Sequence, residues 1–243
     1  MLNRGNQTRA NGEDVYSRLK AAVISFEFIP GQHLKIQDLA RSFGDKTSRV
    51  AEALGDLASE DLIVHLPNKG FFMREPSVAS TASDYRFNRD LLKNALTHAI
   101  ANGIEYDSAV ASEFLRMPER TAGTPGDLAL ELTRLAADFF ARVASLYDVP
   151  RASTDIAWLN DRLHFVRLLT FELKPDIASE LSELISLFVA KKYEALIGSI
   201  KVYHDDRMED LPAILERGFG RSFRASRHGA LLNTELAELT SGT

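Results

Sequence analysis

A run of four polar residues near position 47 carries side chains that could recognise a nucleic acid. Lys46, Thr47, Ser48 and Arg49 follow one another directly, and Glu52 stands about one helical turn further on. Lysine and arginine donate to the O6 and N7 atoms of guanine, whereas serine and threonine contact bases or phosphates. These residue types predict base recognition, provided that a helix presents them near its N-terminus.

Residues that would indicate an enzyme are sparse. The chain has no phosphate-binding loop, no Gly-x-Ser-x-Gly elbow, no His-Glu-x-x-His pair and no dinucleotide fingerprint. Its best carboxylate pair, Asp205 and Asp206, stands at a predicted helix corner, where adjacent carboxylates are usually solvated. The lack of cysteine excludes disulfides, thiolate zinc sites and a cysteine nucleophile. We expect no catalysis, with a helical enzyme carrying an accessory α+β domain as the competing interpretation.

The elements that would position the polar run follow the order of a winged helix. They are a helix over 14–26, an edge strand over 33–36, helices over 37–43 and 47–59, and a hairpin of strands 62–66 and 71–73. Pro30-Gly31 ends the first helix, Gly44 ends the second, and Asp45 or Thr47 can cap the third. We predict a winged helix-turn-helix (α+β) over 13–75, with a generic small α+β domain as the alternative.

The rest of the chain shows no strand pattern. A flexible arm over 1–12 and a small, polar linker over 76–83 flank the first domain. The predicted helices beyond the linker are 83–101, 107–116, 127–147, 154–173, 176–190, 192–204 and 209–219. We therefore predict an all-α helical bundle over 84–220, followed by a C-terminal tail over 221–243 in which 230–239 could form one more helix.

Charge and hydropathy agree with a two-domain globular protein. The net charge of −5 belongs wholly to residues 79–243, since residues 1–78 hold ten basic and ten acidic side chains. A neutral domain can still bind DNA when its basic side chains share one face. No apolar run could cross a bilayer and the N-terminus lacks a signal-peptide core, so we expect a cytoplasmic protein.

The first 75 residues closely resemble the GntR family of bacterial regulators. The stretches that carry the resemblance are VYSRLKAAVISFEFIPGQHLKIQDLARSFG and RVAEALGDLASEDLIVHLPNKGFFM. The helical remainder resembles the effector-binding, dimerising domain of the FadR-type subfamily (an FCD-like domain), through its helix count, Arg89 and Asn160-Asp161-Arg162-Leu163-His164. The resemblance implies a homodimeric, DNA-binding transcription regulator, more often a repressor, that releases its operator when a small metabolite binds the bundle.

The resemblance also implies where DNA would be contacted. The expected DNA-binding residues are Lys46, Thr47, Ser48 and Arg49 on the recognition helix, Arg41 before it, and His65, Asn68, Lys69 and Gly70 on the wing. Many family members have arginine at the positions of Thr47 and Ala51, and proline or threonine at that of Arg49. We expect a retained fold with a different operator, and two roles stay open for Arg49, reading bases or only binding phosphate.

Many domains of the second type hold a divalent metal through one aspartate and three histidines. An Asp and a His four residues apart share a helix face, and the matching pair here is Asn160 and His164. The next expected histidines fall at Tyr193 and near Leu215 or Glu216. An uncharged amide is a poor substitute for a carboxylate ligand, so we expect that the metal site is lost and that no cofactor is bound.

A cavity that survives this loss could still bind a small anion, possible ligands including carboxylates. The expected effector-binding residues are Arg89, Asn160, His164, Arg167 and Tyr193. Each has a structural alternative, since His164 could be a hydrogen-bonded core residue and Arg167 could lie on a solvated helix face. A DNA-bound architectural protein with no effector also stays open as a function.

Overall fold

The computed structural model describes residues 7–107, 125–174 and 176–225. The chain divides into two compact units. One contains Met1–Pro76 together with the chain from Gly218 onward, and the other contains Ser77–Arg217.

The first unit contains the predicted winged helix. Its elements are α1 (Gln7–Ile24), α2 (Ile36–Phe43), α3 (Thr47–Ser59), β1 (Ile63–Leu66) and β2 (Gly70–Met73). The two strands pair antiparallel, from Ile63 opposite Met73 to Leu66 opposite Gly70. The predicted edge strand is reduced to one bridge between His33 and Phe72. The winged helix-turn-helix prediction is therefore confirmed.

One small core holds this unit together. The apolar residues spaced by three or four positions on each helix all point into it: Val15, Leu19, Ala22 and Val23 of α1, Leu39 and Ala40 of α2, and Val50, Ala53, Leu54 and Leu57 of α3. Ile63 and Met73 close the core from the hairpin. Helix α3 packs against both α1 and α2, so its remaining face is turned outward.

Two details of the first unit differ from the sequence-based expectation. Helix α1 begins at Gln7, inside the segment predicted as a flexible arm. Residues 7–14 are QTRANGED and lack apolar residues at helical spacing, so the sequence carries no helix signal there. Neither Asp45 nor Thr47 caps α3 through its side chain, because the N-cap position is Lys46.

The regular elements in the described part of the second unit are all helices, as predicted. Its helices are α4 (Val78–Asn102), α5 (Pro125–Ala144), α6 (Pro150–Leu173), α7 (Ile177–Val189) and the part of α8 (Tyr193–Ala225) that ends at Arg217. Helices α4, α5 and α6 pack against one another, and α7 packs against α5 and α6. Tyr193, Leu196 and Ile200 bring α8 into the same apolar core. None of the helices in the described ranges is long and apolar enough to span a membrane.

Three boundaries predicted beyond residue 76 differ from those of the observed helices. Helix α4 starts at Val78, within the predicted linker, because Ser77 and Ser80 form a reciprocal capping box rather than a flexible spacer. Helix α8 runs unbroken through the predicted corner at Asp205, whose carboxylate pairs with Lys201 and Arg89 on the helix surface. The predicted tail from 221 is helical as far as Ala225. Of the helix predicted at 107–116, only Asp107 is described, and it is not helical. The remainder of that predicted helix and the rest of the tail lie outside the described residues.

Two glycines of this fold should respond oppositely to substitution by alanine. Gly198 lies inside α8 with no atom within 4 Å of an added Cβ, so Gly198→Ala should raise the free energy of unfolding by about 0.5–1 kcal/mol. Gly44 ends α2 with φ of 67°, so Gly44→Ala should lower it by about 1 kcal/mol or more. Urea unfolding of both variants checks this, and shifts of the same sign would contradict it.

Candidate functional site

The turn between α2 and α3 sets the exposed face of the first unit. Gly44 adopts the left-handed conformation after α2, and its N–H donates to the carbonyl oxygen of Ala40. The chain then reverses into α3 within three residues, which is the geometry of a helix-turn-helix. The buried residues of α3 all lie on its inner face, so its N-terminal turn is left facing solvent.

That N-terminal turn presents donors to the solvent. Lys46, Thr47 and Ser48 are exposed, and no side chain caps the helix at Lys46. The free backbone N–H groups and the positive end of the helix dipole therefore add to the charge of Lys46. The charge and the exposed donors of this surface suit a polyanion such as a phosphate backbone.

Arg49 is the exception among the expected contact residues. Its Nη1 lies 3.4 Å from Oδ1 of Asp45, and the two side chains are only 20% and 14% exposed. The same Oδ1 accepts the backbone N–H of Lys46 at 2.7 Å. The guanidinium of Arg49 is therefore turned back toward the start of its own helix.

The wing lies beside the start of α2. His65, Asn68 and Lys69 are exposed, and the wing tip, Lys35 and Gln37 border one groove of about 510 Å³. Asn68 takes a positive φ of 62° in the turn. Gly70 has φ of 95°, and a Cβ there would lie 2.9 Å from Nε2 of His33, so a side chain at this position would strain the backbone and displace the His33 ring.

Arg41, the remaining expected DNA contact, projects into solvent from α2. Its guanidinium lies 3.5 Å from Asp38, and the two side chains are 79% and 57% exposed. Water screens such a pair strongly, so Arg41 remains available to a phosphate.

The second unit buries an arginine that has no acidic partner in the described chain. Arg167 on α6 is 2% exposed, its Nη1 donates to the side-chain oxygen of Asn160 at 2.7 Å, and it stacks over Phe140 at 4.8 Å. Its Nε and Nη2 atoms are buried with no hydrogen-bond partner. Because these two N–H groups form one edge of the guanidinium, they match the two oxygens of a carboxylate.

Two histidines border this arginine. Burial, and then the charges of Arg167 and Arg134, lower the pKa of His164 to about 4. Burial likewise lowers the pKa of His204 to about 3. Both rings are therefore neutral at pH 7. Neither ring adds a second positive charge beside Arg167.

His204 joins α4 and α8 in the buried part of the bundle. Its Nδ1 lies 2.8 Å from the carbonyl oxygen of Ile200, and its Nε2 lies 2.9 Å from Oδ1 of Asn88. A neutral ring carries one N–H, which is needed at Nδ1 for the carbonyl. Nε2 is then an acceptor, and it can accept from Asn88 only in the amide orientation that exchanges Oδ1 for the NH₂ group.

The residues at the expected metal site do not fit a divalent cation. The amide oxygen of Asn160 already accepts from Arg167, and its NH₂ group donates to the carbonyl oxygen of Ala137 at 3.0 Å. A guanidinium beside His164 would repel a second cation. No group of three or more His, Asp or Glu side chains with metal-binding geometry occurs within the described ranges.

The expected effector residues do not all come together. Asn160, His164 and Arg167 share α6 and interact, as described above. Arg89 instead pairs with Asp205 at 2.8 Å and with Asp90 at 3.0 Å. The Tyr193 hydroxyl accepts the backbone N–H of Tyr106, in a part of the apolar core that contains Phe188.

Sequence reasoning missed Tyr85, Asn88 and His204, whose side chains meet in the buried part of the bundle. A signal for them was present. Tyr85 and Asn88 continue the apolar phase of Leu92 and Leu96 on α4, and His204 continues that of Leu196 and Ile200 on α8. Polar residues in a buried phase need a partner, so they mark either a structural network or a ligand site.

Comparison with known proteins agrees with the architecture of the first unit. Residues 11–73 match the family described as bacterial regulatory proteins, gntR family. A relative from Streptomyces ambofaciens, named an uncharacterized HTH-type transcriptional regulator in an unstable DNA locus, is 33% identical over 105 residues, which are 43% of each chain. The chain thus spans less than half the length of that relative.

Two further similarities cover most of the chain. The uncharacterized HTH-type transcriptional regulator YdhC of Bacillus subtilis is 22% identical over 84% of this chain and 92% of its own. The crystal structure of a GntR transcriptional regulator from Rhodococcus, described as putative, superposes with a TM-score of 0.62 at 19% identity, over 84% of this chain and 98% of that one. The order of a winged helix followed by a helical domain is therefore the fold of known GntR regulators.

Proposed function

Residues 11–73 of this chain are a gntR-family helix-turn-helix domain, and from this premise we propose that the whole chain is a transcriptional repressor controlled by a small anionic metabolite. The observation that supports DNA binding is the exposed, uncapped N-terminus of α3 with Lys46, Thr47 and Ser48. Such a protein acts on the chromosome, so its proposed location is the cytoplasm.

The proposed operator contacts divide by role. Lys46, Arg41 and Lys69 would bind phosphates, and Thr47 and Ser48 would reach base edges in the major groove. His65, Asn68 and Gly70 would lie along the backbone or minor groove beside them. A single winged helix buries little surface on DNA, so we propose a homodimer whose two domains contact half-sites about one helical turn apart.

The proposed effector site is centred on Arg167. The buried, unpartnered Nε and Nη2 edge supports a ligand with a carboxylate, which would supply the negative charge that the described residues around Arg167 lack. Asn160 and His164 would be its neighbours, and Arg89 and Tyr193 would act from the surrounding helices. No metal or other cofactor is part of this proposal.

DNA binding is testable with duplexes selected from a random-sequence pool by the full-length protein. Lys46→Ala should weaken binding of a selected duplex by about tenfold and lower the slope of log K against log salt by about one. Lys93→Ala is the matched control, because it removes the same charge from an exposed position on α4 of the second unit. Failure of the wild-type protein to enrich any sequence would overturn the proposed function.

A further inference from the structure

The ion pair between Asp45 and Arg49 stands at the edge of the surface proposed to meet DNA. Asp45 follows Gly44 directly in the helix-turn-helix, and Arg49 lies on the first turn of α3. Between them along the chain stand Lys46, Thr47 and Ser48, all exposed. A basic side chain in the expected contact set is thus held by a carboxylate from the same turn.

The geometry favours this pair. An acidic residue before the start of a helix interacts well with the positive end of the helix dipole. An acid placed four residues before a base is also the more favourable order. Asp45 gains a further contact, because its Oδ1 accepts the N–H of Lys46 at 2.7 Å. The carboxylate is therefore fixed, and Arg49 is held by a fixed partner.

Shielding distinguishes this pair from the other acid–base pair near the same surface. The side chains of Asp45 and Arg49 are 14% and 20% exposed, whereas those of Asp38 and Arg41 are 57% and 79% exposed. Water weakens the second pair much more than the first. Arg41 can thus turn to any nearby phosphate, whereas Arg49 must first lose its contact with Asp45.

We propose that Asp45 is a specificity-determining positioning residue, which holds Arg49 so that its guanidinium engages DNA only where the contact outweighs the pair with Asp45. The inference rests on the proposed function as a DNA-binding protein. Phosphates occur at every step of a duplex, so an unrestrained arginine strengthens binding to all sequences. A bidentate contact to a guanine edge occurs only at particular positions. Asp45 therefore lowers non-specific affinity more than operator affinity.

The test compares affinity for a selected duplex and for a scrambled duplex of the same length. Asp45→Asn in the full-length protein should raise affinity for the scrambled duplex by about tenfold and steepen its salt slope by about one. Affinity for the selected duplex should rise less, so the ratio of the two affinities falls. Asparagine keeps an oxygen for the N–H of Lys46, and Asp45→Ser offers a second variant that does the same.

The matched control is Asp38→Asn, which removes the same charge from the same unit and should leave the affinity ratio unchanged. A second control is the Arg49→Ala background, in which Asp45→Asn should no longer change the ratio. Equal effects of Asp45→Asn and Asp38→Asn, or an effect of Asp45→Asn that persists without Arg49, would overturn the inference. Wild-type protein that prefers no duplex would instead refute the proposed function itself.

Discussion

Replacing Arg167 by methionine is expected to stabilise the ligand-free protein by about 1–3 kcal/mol. A buried charge that lacks an opposite charge is costly, and methionine fills a similar volume without that cost. The lost hydrogen bond to Asn160 offsets part of the gain. Urea unfolding of the full-length protein at pH 7 measures the change, and a loss of stability would show that Arg167 is compensated in the native state.

Arg162 provides the matched control on the same helix. It is as buried as its partner Asp84, both being 7% exposed, and its Nε lies 3.0 Å from Oδ2 of that residue. Arg162→Met would leave Asp84 buried without this partner and should destabilise the protein by about 3–5 kcal/mol. Methionine substitution of these two arginines, five residues apart, should therefore change the free energy of unfolding in opposite directions.

The Arg167→Met variant also tests the proposed effector site. Acetate, succinate and benzoate are added one at a time, and at least one of them should raise the unfolding midpoint of the wild-type protein. A carboxylate at a concentration of 100 times its dissociation constant adds about 2.7 kcal/mol. Arg167→Met should abolish the response, whereas Lys93→Ala should keep it. An undiminished response in Arg167→Met would place the carboxylate elsewhere.

The second large effect is a loss of stability in mild acid. The pKa values of His164 and His204 are lowered from 6.5 to about 4 and about 3, so the unfolded chain binds protons that the native protein does not. The stability contributed by the neutral rings is complete above pH 6.5 and is lost as the pH falls toward the folded pKa values. As the pH falls from 7 to 5, the contribution of each histidine to the free energy of unfolding should decrease by about 2 kcal/mol.

The pH effect is measured by urea unfolding across this range. His204→Gln should remove about half of the slope between pH 6.5 and pH 5, because glutamine does not titrate. His65→Gln is the control, since His65 is exposed on the wing. An unchanged slope in His204→Gln would show that this ring gains its proton in the native protein as readily as in the unfolded chain.

The sequence predicted the fold well wherever a local pattern has one structural meaning. Apolar residues every three or four positions gave α2 and α3, and a turn of Pro67, Asn68 and Lys69 between apolar strands gave the wing. The sequence does not predict the beginning of α1, because residues 7–14 lack apolar residues at helical spacing. The sequence predicts a linker at Ser77, because a capping serine and a linker serine differ only in the contacts that they make.

The candidate sites could be predicted only in part, for a different reason. Arg167 and Arg162 are alike in sequence, and only the packing of α4 against α6 gives one of them a carboxylate. The pair of Asp45 with Arg49 has a helical spacing that sequence shows, but the shielding of that pair depends on the tertiary structure. Pro212 inside α8 likewise marks no helix end here, although proline usually does.

The unpartnered Nε and Nη2 groups of Arg167 have a consequence for how long the protein persists in a cell. An unsatisfied charge in the native state enlarges the fraction of molecules that are unfolded at any moment, and these are the molecules that proteases degrade. A bound anion reduces that fraction by mass action. Under the proposed function, the amount of this protein is therefore expected to rise with the concentration of the anion that binds Arg167, independently of any change in transcription.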